Sequence, residues 1–317
     1  MSTISMALFP EQKMDTESES KCFNNHSSKF SKLVETEGVP LPSKTAEKWD
    51  QIQDFKARSD DLLICTYPKA GTTWIQEIVD MIHHGGDPWK CDKVPIYQRC
   101  PFIELFLPEP IFTGLELADR MPSPRLLKTH LPVHLLPHSF WEQKCKIIYL
   151  ARNIKDNAVS YFHFCRMNQL TTDPGEWNHF LEDFIAGKCI YGSWSDHVSG
   201  WWKAKDRHPI LYLFYEDMKE EPAREIRKVA EFLGLELSES VLNQIVLHTE
   251  FCSMKVNPMT NYTTLPPSIL DQSVSPYLRK GIVGDWKEYF TVAQSEKLDD
   301  ICAQKLGSSG LIFRTQL

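Results

Sequence analysis

The stretch 61–80, DLLICTYPKAGTTWIQEIVD, constrains the fold of this chain more than any other. An apolar run, Leu62-Leu63-Ile64-Cys65, meets the turn Tyr67-Pro68-Lys69-Ala70-Gly71-Thr72-Thr73, and an amphipathic helical pattern follows at once. Strand, small-residue turn, helix is the arrangement that holds a phosphate. Loop amides and the positive helix N-terminus converge on one spot, where Lys69 adds a full charge. Here the lysine precedes the glycine, so the turn is not the G-x-x-x-x-G-K-[ST] loop of nucleoside triphosphatases. An ordinary βα turn with a threonine helix cap fits the same residues.

The pattern repeats along the chain. Near-continuous apolar runs at 61–67, 125–129, 145–151 and 209–214 read as strands buried on both faces of a parallel sheet. Helical patterns cover 72–84, 154–166, 176–186, 193–205, 222–233 and 294–305; Pro222 opens one of them and Gly234 closes it. No internal repeat or linker interrupts the alternation. The expectation is one α/β domain over 31–317, a central parallel sheet flanked by helices, behind a mobile polar tail at 1–30. Segments 86–124 and 257–284, rich in proline, are expected to be long loops of the kind that form lids or binding loops.

A net charge of −7 weighs against a general nucleic-acid or acidic-membrane binder, so an anionic ligand needs locally gathered Lys and Arg. No apolar window is long enough for a transmembrane helix, and residues 1–20 lack the features of a secretory signal. The nine cysteines are scattered without a C-x-x-C pair, which suits a reduced cytosolic chain.

Three further constellations join the turn. In LLKTHLP (126–132), Lys128 and His130 fall on the same side at the carboxyl end of a strand, the edge that faces the ligand crevice in open α/β sheets. A histidine there suits proton abstraction near neutral pH, though a satisfied structural histidine fits too. His134 and His138 share helical spacing, but Pro132, Pro137 and the lack of companion ligands count against a metal. In 147–164, Arg152 ends a strand and Ser160 follows on the next helix, placed to clamp a second phosphate. Arg279-Lys280-Gly281 sets two cations beside a flexible glycine at the end of a long loop. Each group has a bland alternative; their recurrence at successive strand ends is harder to assign to packing. The aromatics of 191–202 read as core.

With these residues in hand, the chain resembles the cytosolic sulfotransferases, the phenol or aryl group in particular and within it the 1C subgroup. The resemblance spans about 35–317 through TYPKAGTTW (66–74), LLKTHLP (126–132), ARNIKDNAVSYFHF (151–164), LYLFYEDM (211–218), NPMTNYTT (257–264) and RKGIVGDWK (279–287). It implies a fold like that of the P-loop nucleotide hydrolases and transfer of a sulfuryl group from 3′-phosphoadenylyl sulfate (PAPS) to a hydroxyl or amine, without metal. It implies that the turn Lys69 to Trp74 (Lys69, Ala70, Gly71, Thr72, Thr73, Trp74) holds the 5′-phosphosulfate. Arg152, Ser160, Arg279, Lys280 and Gly281 would hold the 3′-phosphate; Tyr215, Thr249, Phe251 and Met254 would line the adenosine site. His130 would be the general base. Lys69 would stabilise the bridging oxygen and Lys128 the transferring group. Phe102, Phe164, Tyr262 and Ile269 would wall the acceptor pocket. Two positions depart from the phenol-type pattern: Thr45 and Leu105 stand where relatives carry aromatic rings. Lys287, Thr291, Val292 and Glu296 fit the family's dimerisation motif, implying a homodimer, and the family implies the cytosol. Two other readings stay open: a different P-loop transferase such as a small-molecule kinase, and a silent protein that sequesters nucleotides or phenols.

Overall fold

The computed structural model describes residues 32–107 and 113–317; the tail at 1–30 lies outside the described residues. Its centre is a parallel four-stranded sheet. The strands are β3 (Leu62–Thr66), β4 (Leu126–Thr129), β5 (Lys146–Ala151) and β6 (Ile210–Phe214), in the order β4-β3-β5-β6. All four match the apolar runs of the sequence to within about two residues.

Alternation explains why those runs are apolar throughout. Leu63, Cys65, Leu127, Ile147 and Tyr149 enter one core, while Leu62, Ile64, Leu126, Ile148 and Leu150 enter the other. The helix Thr72–His83 packs on the second face through Ile75, Ile78, Val79 and Ile82. Helices Trp177–Ile185 and Trp194–Ala204 close the first through Phe180, Phe184, Trp194 and Trp201. The aromatics Trp194 and Trp201 are therefore core, as their helical spacing indicates. Each such buried side chain stabilises the fold by about 1.5–3 kcal/mol.

The chain steps from β3 to β4 on one side, then crosses back to β5 and β6 on the other. Strand order thus reverses at β3, and a crevice opens beyond the carboxyl ends of β3, β4 and β5. These ends carry Tyr67 to Thr73, His130 and Arg152.

Two segments depart from expectation. An antiparallel hairpin, β1 (Leu33–Thr36) and β2 (Val39–Pro42), precedes the sheet, turning through Glu37 and Gly38 at positive φ. Pro40 and Pro42 mask it in the sequence, because proline reads against a strand. The region 86–124, expected as one long loop, holds the short helices Pro88–Cys91, Ile96–Arg99 and Gly114–Arg120; the last has a Thr113–Glu116 capping box. Between them Phe102 bridges to Lys128 in parallel register, so an irregular segment runs beside β4. The segment 257–284 has no helix or strand, as expected, apart from one bridge between Leu270 and Asn168. Among the described residues no helix is long and apolar enough to cross a membrane.

Candidate active site

The crevice is a cleft of about 900 Å³, lined by residues from the turn after β3, the ends of β4 and β5, and the late segment 277–285. Every one of the predicted donor, base and acceptor residues lines it except Ala70, which is fully buried behind the turn.

The turn adopts a shape few sequences allow. Lys69 has φ +69° and Gly71 φ +108°. A Cβ on Gly71 would stand 2.8 Å from the Tyr215 ring, so glycine is required for both reasons. Thr72 and Thr73 open the helix; Thr72 Oγ1 lies 2.7 Å from Thr66 Oγ1, and Thr73 Oγ1 lies 3.4 Å from the Tyr277 hydroxyl. Lys69 is half-buried, its Nζ over the rings of Tyr277 (4.0 Å) and Phe164 (4.6 Å). Burial and the nearby charges of Lys128, Arg152 and Arg279 push its pKa down to about 7.

A second cationic group stands further along the cleft. Arg152 stacks on the Tyr215 ring at 4.5 Å and donates to the Ile282 carbonyl at 3.0 Å. Arg279 and Lys280 both pair with Asp285, and Lys280 also with Glu288. Arg152 Nε and Arg279 Nε are buried with no protein partner. Gly281, at φ +65°, lies flat on Phe251: a Cβ there would fall 2.1 Å from the ring. Trp74 meets Tyr215 edge-on at 5.5 Å, and its Nε1 is also unpartnered. Met254 is buried close by, while the Thr249 hydroxyl turns inward to the Ile245 carbonyl at 2.8 Å. The cradle thus gathers positive charge, unused buried donors and a glycine floor, which fits a multiply charged anion carrying a flat ring.

At the β4 end, His130 is 8% exposed. Its Nδ1 lies 2.8 Å from the Thr66 carbonyl oxygen and 3.1 Å from Thr66 Oγ1. A carbonyl only accepts, so Nδ1 carries the proton and Nε2 keeps its lone pair. Burial first, then the charge of Lys128, holds the His130 pKa well below its usual value, so the ring is neutral at physiological pH. Lys128 lies over the Phe102 ring at 4.3 Å, its own pKa lowered to about 8, chiefly by burial.

The remaining walls are apolar. Phe102 meets the His130 ring edge-on at 4.9 Å, Tyr262 and Tyr277 pack in a tilted pair at 4.1 Å, and Phe164 and Ile269 continue the surface. Thr45 and Leu105 sit at this end; Thr45 donates to the Glu104 carbonyl at 3.1 Å. Ser160 and Arg152 line the same cleft.

Two residues at the site, Tyr277 and Glu104, carry no role in the sequence reading, and a third, Tyr191, is read there as core but also lines the cleft. Tyr277 covers Lys69, Tyr191 packs against His130 at 5.5 Å, and Glu104 lies beside His130 with its carboxylate bonded to the His130 amide at 2.6 Å. Tyr277 is two residues from Arg279 and so was within reach of motif reading; Glu104 belongs to irregular chain and carries no signal.

Among the described residues two other clusters have metal-ligand chemistry: Asp80, His84 and Cys91, and Glu77, Asp92 and His248. Both lie outside the cleft, and Arg99 pairs with Asp80 and Glu77. His138, exposed, pairs with Glu142 at 3.0 Å. All eight described cysteines are free thiols.

Residues 59–310 match the family described as sulfotransferase domain. The chain belongs to the sulfotransferase family. It is 57% identical to sulfotransferase 1C2 of Rattus norvegicus over 290 residues, 92% of this chain and 98% of the relative. It is 54% identical to sulfotransferase 1A1 of Canis lupus familiaris over 285 residues, covering 90% and 96% of the two chains. Mouse sulfotransferase SULT7A1, solved in complex with PAP, superposes with a TM-score of 0.72 at 33% identity, covering 87% of this chain and 95% of that one. A retinol dehydratase solved with androsterone and inactive cofactor PAP gives a TM-score of 0.80 at 25% identity, covering 89% and 92%. Both of these solved relatives were determined with PAP.

Proposed function

We propose that the cleft performs in-line sulfuryl transfer from PAPS to a phenolic or aryl hydroxyl, with His130 as the general base. The carrying observation is the Nδ1 bond from His130 to Thr66, which leaves Nε2 with its lone pair in a cleft that Lys69 and Lys128 also line. The sulfotransferase uses PAPS as its donor, a reading supported by the PAP-bound relatives and by the unpartnered buried donors of Arg152 and Arg279.

In this reading the 67–74 turn takes the 5′-phosphosulfate, with Ala70 behind it. Arg152, Ser160, Arg279, Lys280 and Gly281 take the 3′-phosphate, and Trp74, Tyr215, Thr249, Phe251 and Met254 take the adenosine. His130 Nε2 accepts the acceptor proton as the acceptor oxygen attacks sulfur. Lys69 follows the charge that gathers on the departing bridging oxygen, and Lys128 steadies the transferring group. Such transfer needs alignment and relief of charge more than covalent help. Phe102, Phe164, Tyr262 and Ile269 hold the ring. Thr45 and Leu105 leave the gate wider than a pair of aromatics would, which favours bulkier acceptors than simple phenols.

The turn serves as a phosphate loop of the nucleotide-hydrolase kind with its lysine placed first. We read residues 31–317 as one catalytic domain. Lys287, Thr291, Val292 and Glu296 form a homodimer contact, supported by the exposure of Val292 (75%), and the enzyme works in the cytosol.

Incubation with PAPS and 4-nitrophenol in EDTA tests the transfer activity; the same assay with unsubstituted phenol tests the need for a base. Formation of 4-nitrophenyl sulfate is expected. Its absence, with PAP still bound, would leave a silent binding protein instead.

A further inference from the structure

Glu104 is a fully buried carboxylate, 1% exposed, that touches the base and the acceptor gate together. Its Oε1 accepts the His130 backbone N–H at 2.6 Å. Its Oε2 accepts the Thr129 hydroxyl at 2.9 Å, and that hydroxyl in turn accepts the Leu131 N–H at 3.0 Å. Three successive residues at the end of β4 are thereby tied to one side chain. Its own carbonyl accepts the Thr45 hydroxyl at 3.1 Å, and Leu105 is its chain neighbour.

Charge gives this placement a chemical meaning. The Lys128 ammonium opposes protonation of His130, and Glu104 is the carboxylate that offsets Lys128. Burial raises the Glu104 carboxyl to about 7, against the pull of the His130 amide and the Thr129 hydroxyl, so it is largely ionised in mildly alkaline solution. When His130 takes the acceptor proton, a new cation forms in a site already holding Lys69 and Lys128. A fixed negative charge bonded to the same residue lowers the free energy of that step.

We infer that Glu104 is a positioning residue for the reaction: it fixes the His130 backbone and supplies the counter-charge for the imidazolium formed during proton transfer. This rests on His130 being the base. The bland alternative is that Glu104 only staples the segment 101–105 to β4.

The two roles separate on acceptors of different acidity. A phenol already ionised needs no base, whereas unsubstituted phenol, with a pKa near 10 like tyrosine, does. Single-turnover rates with pre-bound PAPS at mildly alkaline pH are compared for 4-nitrophenol and phenol. Glu104→Gln is expected to slow phenol about tenfold or more and 4-nitrophenol less than about threefold, with PAP affinity unchanged. If that variant does not fold, Thr129→Val, which removes the donor on Oε2, carries the test under the same criterion. Equal losses on both acceptors in a folded variant overturn the inference. His130→Ala is run alongside. Equal losses there would overturn the base assignment itself, whereas a selective loss in His130→Ala with equal losses in Glu104→Gln would overturn only the role of Glu104.

Discussion

Lys69 Nζ lies 4.0 Å from the centroid of the Tyr277 ring, joining the first turn of the sheet to a segment some two hundred residues later. The same tyrosine packs against Tyr262 and reaches Thr73. Lys69→Ala should lower kcat by about 10²–10³ while changing donor KM less, because its charge matters most as the bridging oxygen departs. Tyr277→Leu should instead weaken PAP binding by about 2–30-fold, the range of a cation–π contact out of water. Steady-state kinetics and a PAP titration read both; a kcat loss in Lys69→Ala matched by an equal rise in donor KM would reduce that lysine to a binding group.

With unsubstituted phenol as acceptor, His130→Ala should remove about 10²–10⁴ of kcat with PAP affinity little changed. The ring packs on Phe102 and Tyr191 and meets the donor turn only through Thr66, whose bond to Thr72 does not need the imidazole. Normal turnover in this variant would end the assignment of the base.

Nucleotide binding should take up protons. Lys69 and Lys128 carry pKa values lowered to about 7 and about 8, largely by burial, and an anion beside them favours their charged forms. Both are charged below pH 7 and PAP binding is strongest there. Affinity falls as pH rises through these values, because each lysine must then gain a proton to receive the anion. Calorimetry near pH 8 in buffers of different ionisation enthalpy should give a positive proton uptake, vanishing toward pH 6. Proton release would contradict the lowered lysine values.

Gly71→Ala and Gly281→Ala should both cripple donor binding, for related reasons. Each glycine has positive φ, costing about 1–2 kcal/mol for a side chain, and each added Cβ would strike a ring, Tyr215 or Phe251. Thermal unfolding should drop and PAP affinity should fall in both. Gly310→Ala, also at positive φ but with open space around it, is the control: stability alone should change.

The sequence made the sheet legible because its strands are buried on both faces, and continuous apolar runs of five or six residues have few other uses. Lys69, Lys128, His130 and Arg152 were legible because strand ends collect ligands in such sheets. The hairpin at 33–42 was hidden by prolines that tolerate edge pairing. Glu104 was hidden for a different reason. It meets His130 only because the chain around Phe102 lies alongside β4, a pairing across 26 residues that no local periodicity encodes. Asp285 was likewise out of reach: that Arg279 and Lys280 share one carboxylate depends on how the loop folds back.

Thr66, the last residue of β3, bonds through its hydroxyl to Thr72 in the donor turn and through its carbonyl to His130. The proposed phosphosulfate turn and the proposed base therefore hang from a single residue. A displacement of Thr66 would shift both partners together, so one residue sets their spacing.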